Sequence, residues 1–483
     1  MMKRQSTLNN YVFQMLYQFL ILVIPLILSP YLTRTLGKTS LGIYAYSNSI
    51  AYYFVILATL GISRHGQRII SANSDNTEML RKKFWSLLAV HAAFAVLAIL
   101  LYWLFVSAFV KENALIYRIQ TFYVASALFD ITWFFQGLEN FKSVIVKNAA
   151  VKLIECICIF IFVKGPEDLW IYTMIAAAGL FIGQAVMIPQ AAAAVKPALF
   201  SIEDVKEHIK PMCVLGVTVI AAAIYTVFDK TLLGLMTSKE NVAVYEYSNK
   251  IINIPKTIIG VTGTVLYPRA CRMAAQNDIS GQQSLFRISM LVTSFIGFAS
   301  VFGLMASADL LSVVYYGKAF ADCAPVIKAL APLILIIGLG DILRTQYIIP
   351  RKMDGEFVKC LCINAVLNLI ISTAMIPKMG VYGAVFGTLT AECFGLAYQV
   401  YLCRDVVTVR ELFISMAPFA VMGAVMCAAV CGLNSFLPGN ALTLLIDVAA
   451  GGMLFMLMFF LYIRAFRKDI FRLFQNRRKP ICH

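Results

Sequence analysis

The chain has 483 residues, 60% of them apolar and only 14% charged, and its mean hydropathy is +0.79. A soluble domain is typically about a quarter charged, so this composition excludes an ordinary water-soluble enzyme. The formal charge of +16 lies mostly in short polar breaks between apolar blocks, which makes it a topology signal and argues against nucleic-acid binding.

Along the chain the apolar residues form blocks such as "VFQMLYQFLILVIPLILSPYL", "FWSLLAVHAAFAVLAILLYWLFV" and "GGMLFMLMFFLYIRAF". About 20 helical residues cross a hydrocarbon core of about 30 Å. The blocks lack the alternation of barrel strands, so they read as helices. The expected fold is all-α and polytopic, with about 14 transmembrane helices of about 20 residues each. They begin near residues 10, 40, 84, 115, 142, 168, 211, 241, 285, 325, 357, 380, 411 and 441. The first block follows Lys3 and Arg4 as a signal peptide would, but it is too long and lacks a small-residue cleavage site, so it reads as a retained helix.

With a cytoplasmic N-terminus, the inner loops and both tails carry roughly 26 Lys and Arg against roughly 8 in the outer loops. That asymmetry predicts an even number of spans with both termini cytoplasmic. The tail "RAFRKDIFRLFQNRRKP" reads as an anchor to anionic membrane lipid.

The longest polar break in mid-chain, "VKPALFSIEDVKEHIKP", separates six spans from six more. "YAYSNSI" (44–50) returns as "YEYSNKI" (245–251), each opening the second span of its half. This predicts a duplication with both copies pointing the same way through the membrane, a parallel repeat. The expected organisation is an N-terminal lobe at 1–195 (spans 1–6), a cytoplasmic linker at 196–210 and a C-terminal lobe at 211–404 (spans 7–12). A further helix pair follows at 405–465 and a basic tail at 466–483. The tyrosines of the heptads read either as an outer aromatic belt or as part of a site between the repeats.

Ionisable residues inside a span normally face a cavity or a partner. The fifth span has Asn148, Lys152 and Glu155 on one face, with Lys147 nearby; the fourth has Asp130. The eighth has Glu246, Lys250, Asn253 and Thr257 in a stripe, the tenth Asp341 and Arg344, and the twelfth Glu392. Such stripes predict a hydrated lumen with Arg64, Arg68 and Arg269 at its cytoplasmic mouth and Lys147 and Lys152 above them. The pairs Lys152–Glu155 and Asp341–Arg344 read equally as structural pairs joining helices. Arg34, beside Gly37, reads either as snorkelling to the interface or as a further lumen cation. Several fixed cations suit an anionic substrate, because guanidinium grips phosphate oxygens in two-point geometry. Asp130, Glu155, Asp341 and Glu392 are candidates for H⁺ or Na⁺ linkage, and the membrane potential is the other energy source.

The chain has 12 Cys and four His, with no metal-ligand spacing, no phosphate-binding loop and no Ser/His/Asp constellation. No catalytic residue, metal or cofactor is expected, and the protein is not expected to be an enzyme.

Four stretches resemble the bacterial polysaccharide-unit flippases, the Wzx-type family of the multidrug/oligosaccharidyl-lipid/polysaccharide exporter superfamily. They are "PLILSPYLTRTLGKTSLGIYAYSNSIAYYF", "DITWFFQGLENFKSVIVKNAAVKL", "TQYIIPRKMDGEF" and "MIPKMGVYGAVFGTLTAE". The resemblance implies a V-shaped pair of lobes working by alternating access. It also implies transfer of an undecaprenyl-pyrophosphate-linked oligosaccharide to the outer leaflet of the bacterial cytoplasmic membrane. Polysaccharide polymerase and glycosyltransferases are the partners implied. Arg34, Asp130, Glu139, Lys147 and Lys152 fall in the family-like patches. The alternatives are a lipid II flippase, a cation-coupled multidrug antiporter and a structural membrane partner of glycosyltransferases. Against the antiporter, the first three spans hold no Asp or Glu.

Overall fold

The computed structural model describes residues 23–466, with side chains throughout except at 218, 221–226 and 466. The start of the first expected span, nearly all of the basic tail and the Cys482-His483 ending lie outside the described residues. Among the described residues there are helices, turns and no strand.

The first half runs α1 (23–35), α2 (Gly37–Thr59), α3 (Ile62–Ala72), α4 (Thr77–Phe109), α5 (Ala114–Ile119), α6 (Thr121–Ser126), α7 (Thr132–Gly137), α8 (Phe141–Phe162), α9 (Leu169–Ala185) and α10 (Met187–Ala194). The second half runs α11 (Ile202–Met236), α12 (Lys239–Ala275), α13 (Ile279–Leu311), α14 (Cys323–Leu330), α15 (Leu333–Leu343), α16 (Asp354–Met379), α17 (Val381–Leu402), α18 (Val409–Asn434) and α19 (Ala441–Phe466).

Local chemistry sets the boundaries. Gly61 (φ +76°) turns the chain from α2 into α3 in a left-handed conformation that L side chains resist, and a Cβ there would meet the Met212 carbonyl at 2.5 Å. Asn76 caps α4 by accepting from the Met79 amide, and Ser201 with Asp204 forms a capping box on α11. The expected fourth span is not one helix. It breaks at Asp130, after a 3₁₀ turn at Ala127–Phe129, because the Asp130 Oδ1 accepts from both the Thr132 amide (3.1 Å) and the Thr132 hydroxyl (2.6 Å).

Eight described segments are long and apolar enough to cross a membrane by length and composition. Of the helices bearing ionisable residues, α8, α12 and α17 fall outside that set although each has at least 22 residues, while the segment holding Asp341 and Arg344 falls inside it. Large apolar side chains are exposed along α4 (Leu100, Leu104) and α19 (Leu442, Leu445, Val448, Met453). Contiguous apolar surface of this kind suits lipid rather than water.

The chain divides into two compact units, Met1–Glu246 with Leu369–Ala384, and Tyr247–Asn368 with Val385–His483. The core of the first gathers Ile62, Ile70, Phe84, Leu87, Trp133, Phe134, Phe135 and Met212. The core of the second gathers Phe286, Met290, Ile342, Leu343, Tyr347, Cys403 and Leu412.

Candidate functional site

In the first unit, α8 presents Val146, Leu153, Ile154, Ile157 and Ile161 as an exposed apolar face. Asn148, Lys152 and Glu155 lie on the opposite side of the same helix, as the helical repeat requires. The Lys152 ammonium donates to Glu155 Oε2 at 2.7 Å. Glu155 is buried, yet 38% of the Lys152 side chain is exposed on the side turned away from the lipid face. The pair closes within one helix, so it does not join helices.

Nearer the start of α8, Lys147 donates to Gln184 Oε1 of α9 at 2.8 Å and lies within electrostatic reach of Asp130. Asp130 also acts on His91 of α4, a fully buried ring that lies against the Ala127 backbone. Asp130 thus serves two purposes at once. It caps the broken helix and places a carboxyl group near Lys147 and His91.

One phenol, Tyr44, lies within electrostatic reach of Glu155, and two more phenols adjoin Tyr44. Tyr44 of α2 meets Tyr172 of α9 with ring centroids 4.6 Å apart. Glu155 and Tyr123 of α6 lie within electrostatic reach of the Tyr44 phenol. Tyr44, Asn48 and Tyr52 recur every fourth residue on α2 and are half-buried, while the alternating residues Ala45, Tyr46, Ser49 and Ala51 are buried.

The duplicated heptads meet a different fate. Tyr46, Tyr245 and Tyr247 are buried in protein instead of forming an outer belt. Lys239 stands over the Tyr46 ring at 3.4 Å, and Lys250 stands over Tyr247 at 4.0 Å. Thr39 donates to Glu240 at 2.7 Å, across the same 201 positions that separate the two heptads. A Cβ on Gly42 would sit 1.9 Å from the Lys239 carbonyl oxygen, so only glycine fits this approach. Behind it, buried Asp229 accepts from the Tyr245 hydroxyl (2.8 Å) and Ser372 (3.0 Å), while Lys230 pairs with Glu246 at 3.0 Å.

The expected arginines occupy distinct places. On α3, Ile62, His65, Gly66 and Ile70 are buried while Arg64 and Arg68 are exposed on the other side. Arg34 is exposed and donates to the Pro30 carbonyl within α1. In the second unit, Arg269 is exposed on α12, and Asn253 and Thr257 of its stripe are exposed as well. Asp341 pairs with Arg344 of the following π-turn, again within one helix, and its carboxylate would meet a Cβ on Gly263 at 2.9 Å. Glu392 lies within electrostatic reach of Lys256. Glu139 ends α7 at φ +58°.

Sequence reasoning missed several of these features. The phenols of Tyr123 and Tyr172, Lys256 and the Asp229 hub gave no periodic signal of their own. A chain of His65, His208 and Ser86, with two contacts of 3.1 Å, fastens the first turns of α11 to α3 and α4. The ion pairs Lys82–Asp204 (2.9 Å) and Lys83–Glu207 (2.5 Å) reinforce it. With only four His in the chain, the presence of His65 and His208 in polar breaks between apolar blocks was the available clue. Among the described residues, no group of His, Cys, Asp and Glu could hold a metal ion.

A family model described as "Polysaccharide biosynthesis protein" matches residues 7–274. A protein of Escherichia coli (strain K12) described as a candidate O-antigen transporter is 22% identical over 388 residues, covering 79% of this chain and 93% of its own length. A protein of Shigella dysenteriae with the same description is 22% identical over 372 residues, covering 76% and 92%. Among solved structures, the lipid II flippase MurJ in its inward closed conformation superposes with a TM-score of 0.77 at 14% identity, over 95% of this chain and 99% of that one. An inward-facing multidrug resistance MATE transporter superposes with a TM-score of 0.59 at 11% identity, over 82% and 98%. The fold is that of a membrane transporter of the MurJ and MATE kind.

Proposed function

The chain belongs to the polysaccharide biosynthesis protein family, and from that premise we propose that it is a flippase for an undecaprenyl-pyrophosphate-linked oligosaccharide repeat unit. It carries the unit from the cytoplasmic to the outer leaflet by alternating access, for assembly of a cell-surface polysaccharide. Both termini lie in the cytoplasm of a bacterial cell, and the polymerase and glycosyltransferases of the same polymer are its partners.

The observation that carries this reading is Lys152, a cation in mid-helix that faces away from lipid and keeps 38% of its side chain exposed. An ammonium is tolerated there because water or an anionic head reaches it. Lys147 and Lys250 extend the basic character, and Arg64, Arg68 and Arg269 provide guanidinium groups on exposed faces suited to phosphate oxygens. Asp130, Glu155, Asp341 and Glu392 are the groups through which H⁺ or Na⁺ would couple. A charged pathway also feels the membrane potential, at about 2.3 kcal/mol per charge per 100 mV.

The test is deletion in the native host with leaflet-resolved measurement of undecaprenyl-linked oligosaccharides. Complete repeat units should accumulate on the cytoplasmic face, with surface polysaccharide lost. Re-expression of Arg68→Glu, Arg269→Glu or Lys152→Glu at normal membrane levels should fail to restore export. If all three restore it, the basic pathway is wrong. The resemblance in fold to MurJ favours lipid II as the second reading, in which case deletion would strand lipid II instead. Unchanged lipid-linked pools with new sensitivity to cationic drugs would indicate an antiporter.

A further inference from the structure

We infer that the phenols around Glu155 form a subsite for one sugar ring of the cargo, an inference that rests on the flippase reading. The chemistry is that of saccharide recognition. Aromatic faces pack against the C–H face of a pyranose, while a carboxylate accepts from its hydroxyl groups and is poorly matched to a phosphate. Tyr44, Tyr172 and Tyr123 supply the rings, and Glu155 supplies the carboxylate within reach of Tyr44. A carboxylate beside a path for phosphate would otherwise repel the substrate.

Access is visible in the burial pattern. Lys152 is 38% exposed on the protein-facing side of α8. Tyr44 and Tyr123 are neither fully buried nor exposed, so the rings lie at the edge of the packed interior. Lys152 and Glu155 are one turn apart, about 4.5 Å of helical rise. A single cargo could therefore set a phosphate against the Lys152 ammonium and the adjoining ring against the tyrosines. The two charges of the pair are thereby given separate tasks: the lysine holds the head, and the glutamate reads the sugar.

The experiment uses the purified full-length protein in liposomes with two fluorescent probes, a polyprenyl pyrophosphate bearing an oligosaccharide and the same lipid without sugar. Glu155→Gln and Tyr44→Leu should each slow translocation of the glycosylated lipid by about tenfold, the scale of one lost polar or stacking contact. Binding of the sugar-free lipid by Tyr44→Leu should stay within about twofold of wild type, a range too small for a lost hydrogen bond. Tyr44→Phe, which keeps the ring, should restore most of the rate. Tyr123→Leu is measured in parallel so that a folding defect at position 44 does not decide the result. Normal translocation by Glu155→Gln, Tyr44→Leu and Tyr123→Leu, or equal loss for both lipids in Tyr44→Leu and Tyr123→Leu, would overturn the subsite while leaving the flippase reading intact. A wild-type protein that moves no lipid-linked saccharide would overturn the flippase reading and the subsite together.

Discussion

The stretch "DITWFFQGLENFKSVIVKNAAVKL" builds two adjoining regions of opposite character. Its first part, α7, is closed: Trp133 is 1% exposed and Phe134 and Phe135 are fully buried against Phe84 and Ile70. Its second part, α8, is open, with Lys152 exposed on the protein-facing side. The aromatic run is the most distinctive feature of the patch in sequence, yet its task is to pack α7 onto α3 and α4. The plainer run that follows carries the charges. A family-like patch is thus not a functional site as a whole, and its most conspicuous residues are the ones that fix the scaffold.

The contrast can be broken most forcefully at Trp133. Trp133→Ala should destabilise the first unit by about 3–5 kcal/mol, the usual range for deleting a buried aromatic. Membrane levels and thermal unfolding in detergent would report it, and a variant with wild-type unfolding would show that the region is not close-packed. Gly66→Ala attacks the same knot from the α3 side, since its Cβ would sit 2.6 Å from the Trp133 ring. The expected loss is about 1–3 kcal/mol from overpacking, read as a lower melting temperature with α8 untouched.

The open region should behave in the reverse way. The double variant Lys152→Met/Glu155→Gln, which removes both charges and leaves no buried carboxylate unpaired, should change stability by no more than about 1 kcal/mol, while export falls with Lys152→Glu. A large drop in melting temperature for the double variant would show that the pair is structural.

The smallest effect concerns pH at the attachment of α11. Burial pushes the His208 imidazole below its ordinary value of 6.5, aided by the neighbouring Lys83 and opposed by Glu207 and Asp204. His65 and Ser86 contact its ring, and Arg68 acts on His65. The unfolded chain takes up a proton there that the folded chain refuses, so this contribution is complete above about pH 6.5 and fades as the pH falls below that value. Melting temperature should decline slightly from pH 7.5 to 5.5, and His208→Gln should flatten the decline. Asp204 adds nothing to this window, because its hydrogen bond from the Ser201 amide and its pair with Lys82 hold its carboxyl near 2.

Composition and periodicity alone identified a multi-span helical membrane protein, the duplicated heptads and the polar side of α8. Each of these is a property of a single segment: an apolar block long enough to cross lipid, or a three-to-four-residue recurrence of charge. Which of the polar groups face open space was settled only by tertiary structure. The spacing of Asp341 and Arg344 matches that of Lys152 and Glu155, and the cation is about equally exposed in both pairs, 39% for Arg344 and 38% for Lys152, yet Asp341 lies toward Gly263 of α12 while Glu155 lies within electrostatic reach of Tyr44 of α2. The same holds for the heptad tyrosines, where Tyr46 lies under Lys239 and Tyr44 against Tyr172, two residues apart on one helix. The reason is physical: a helix fixes the direction of its own side chains, but burial and pairing depend on what distant segments of the chain place opposite them.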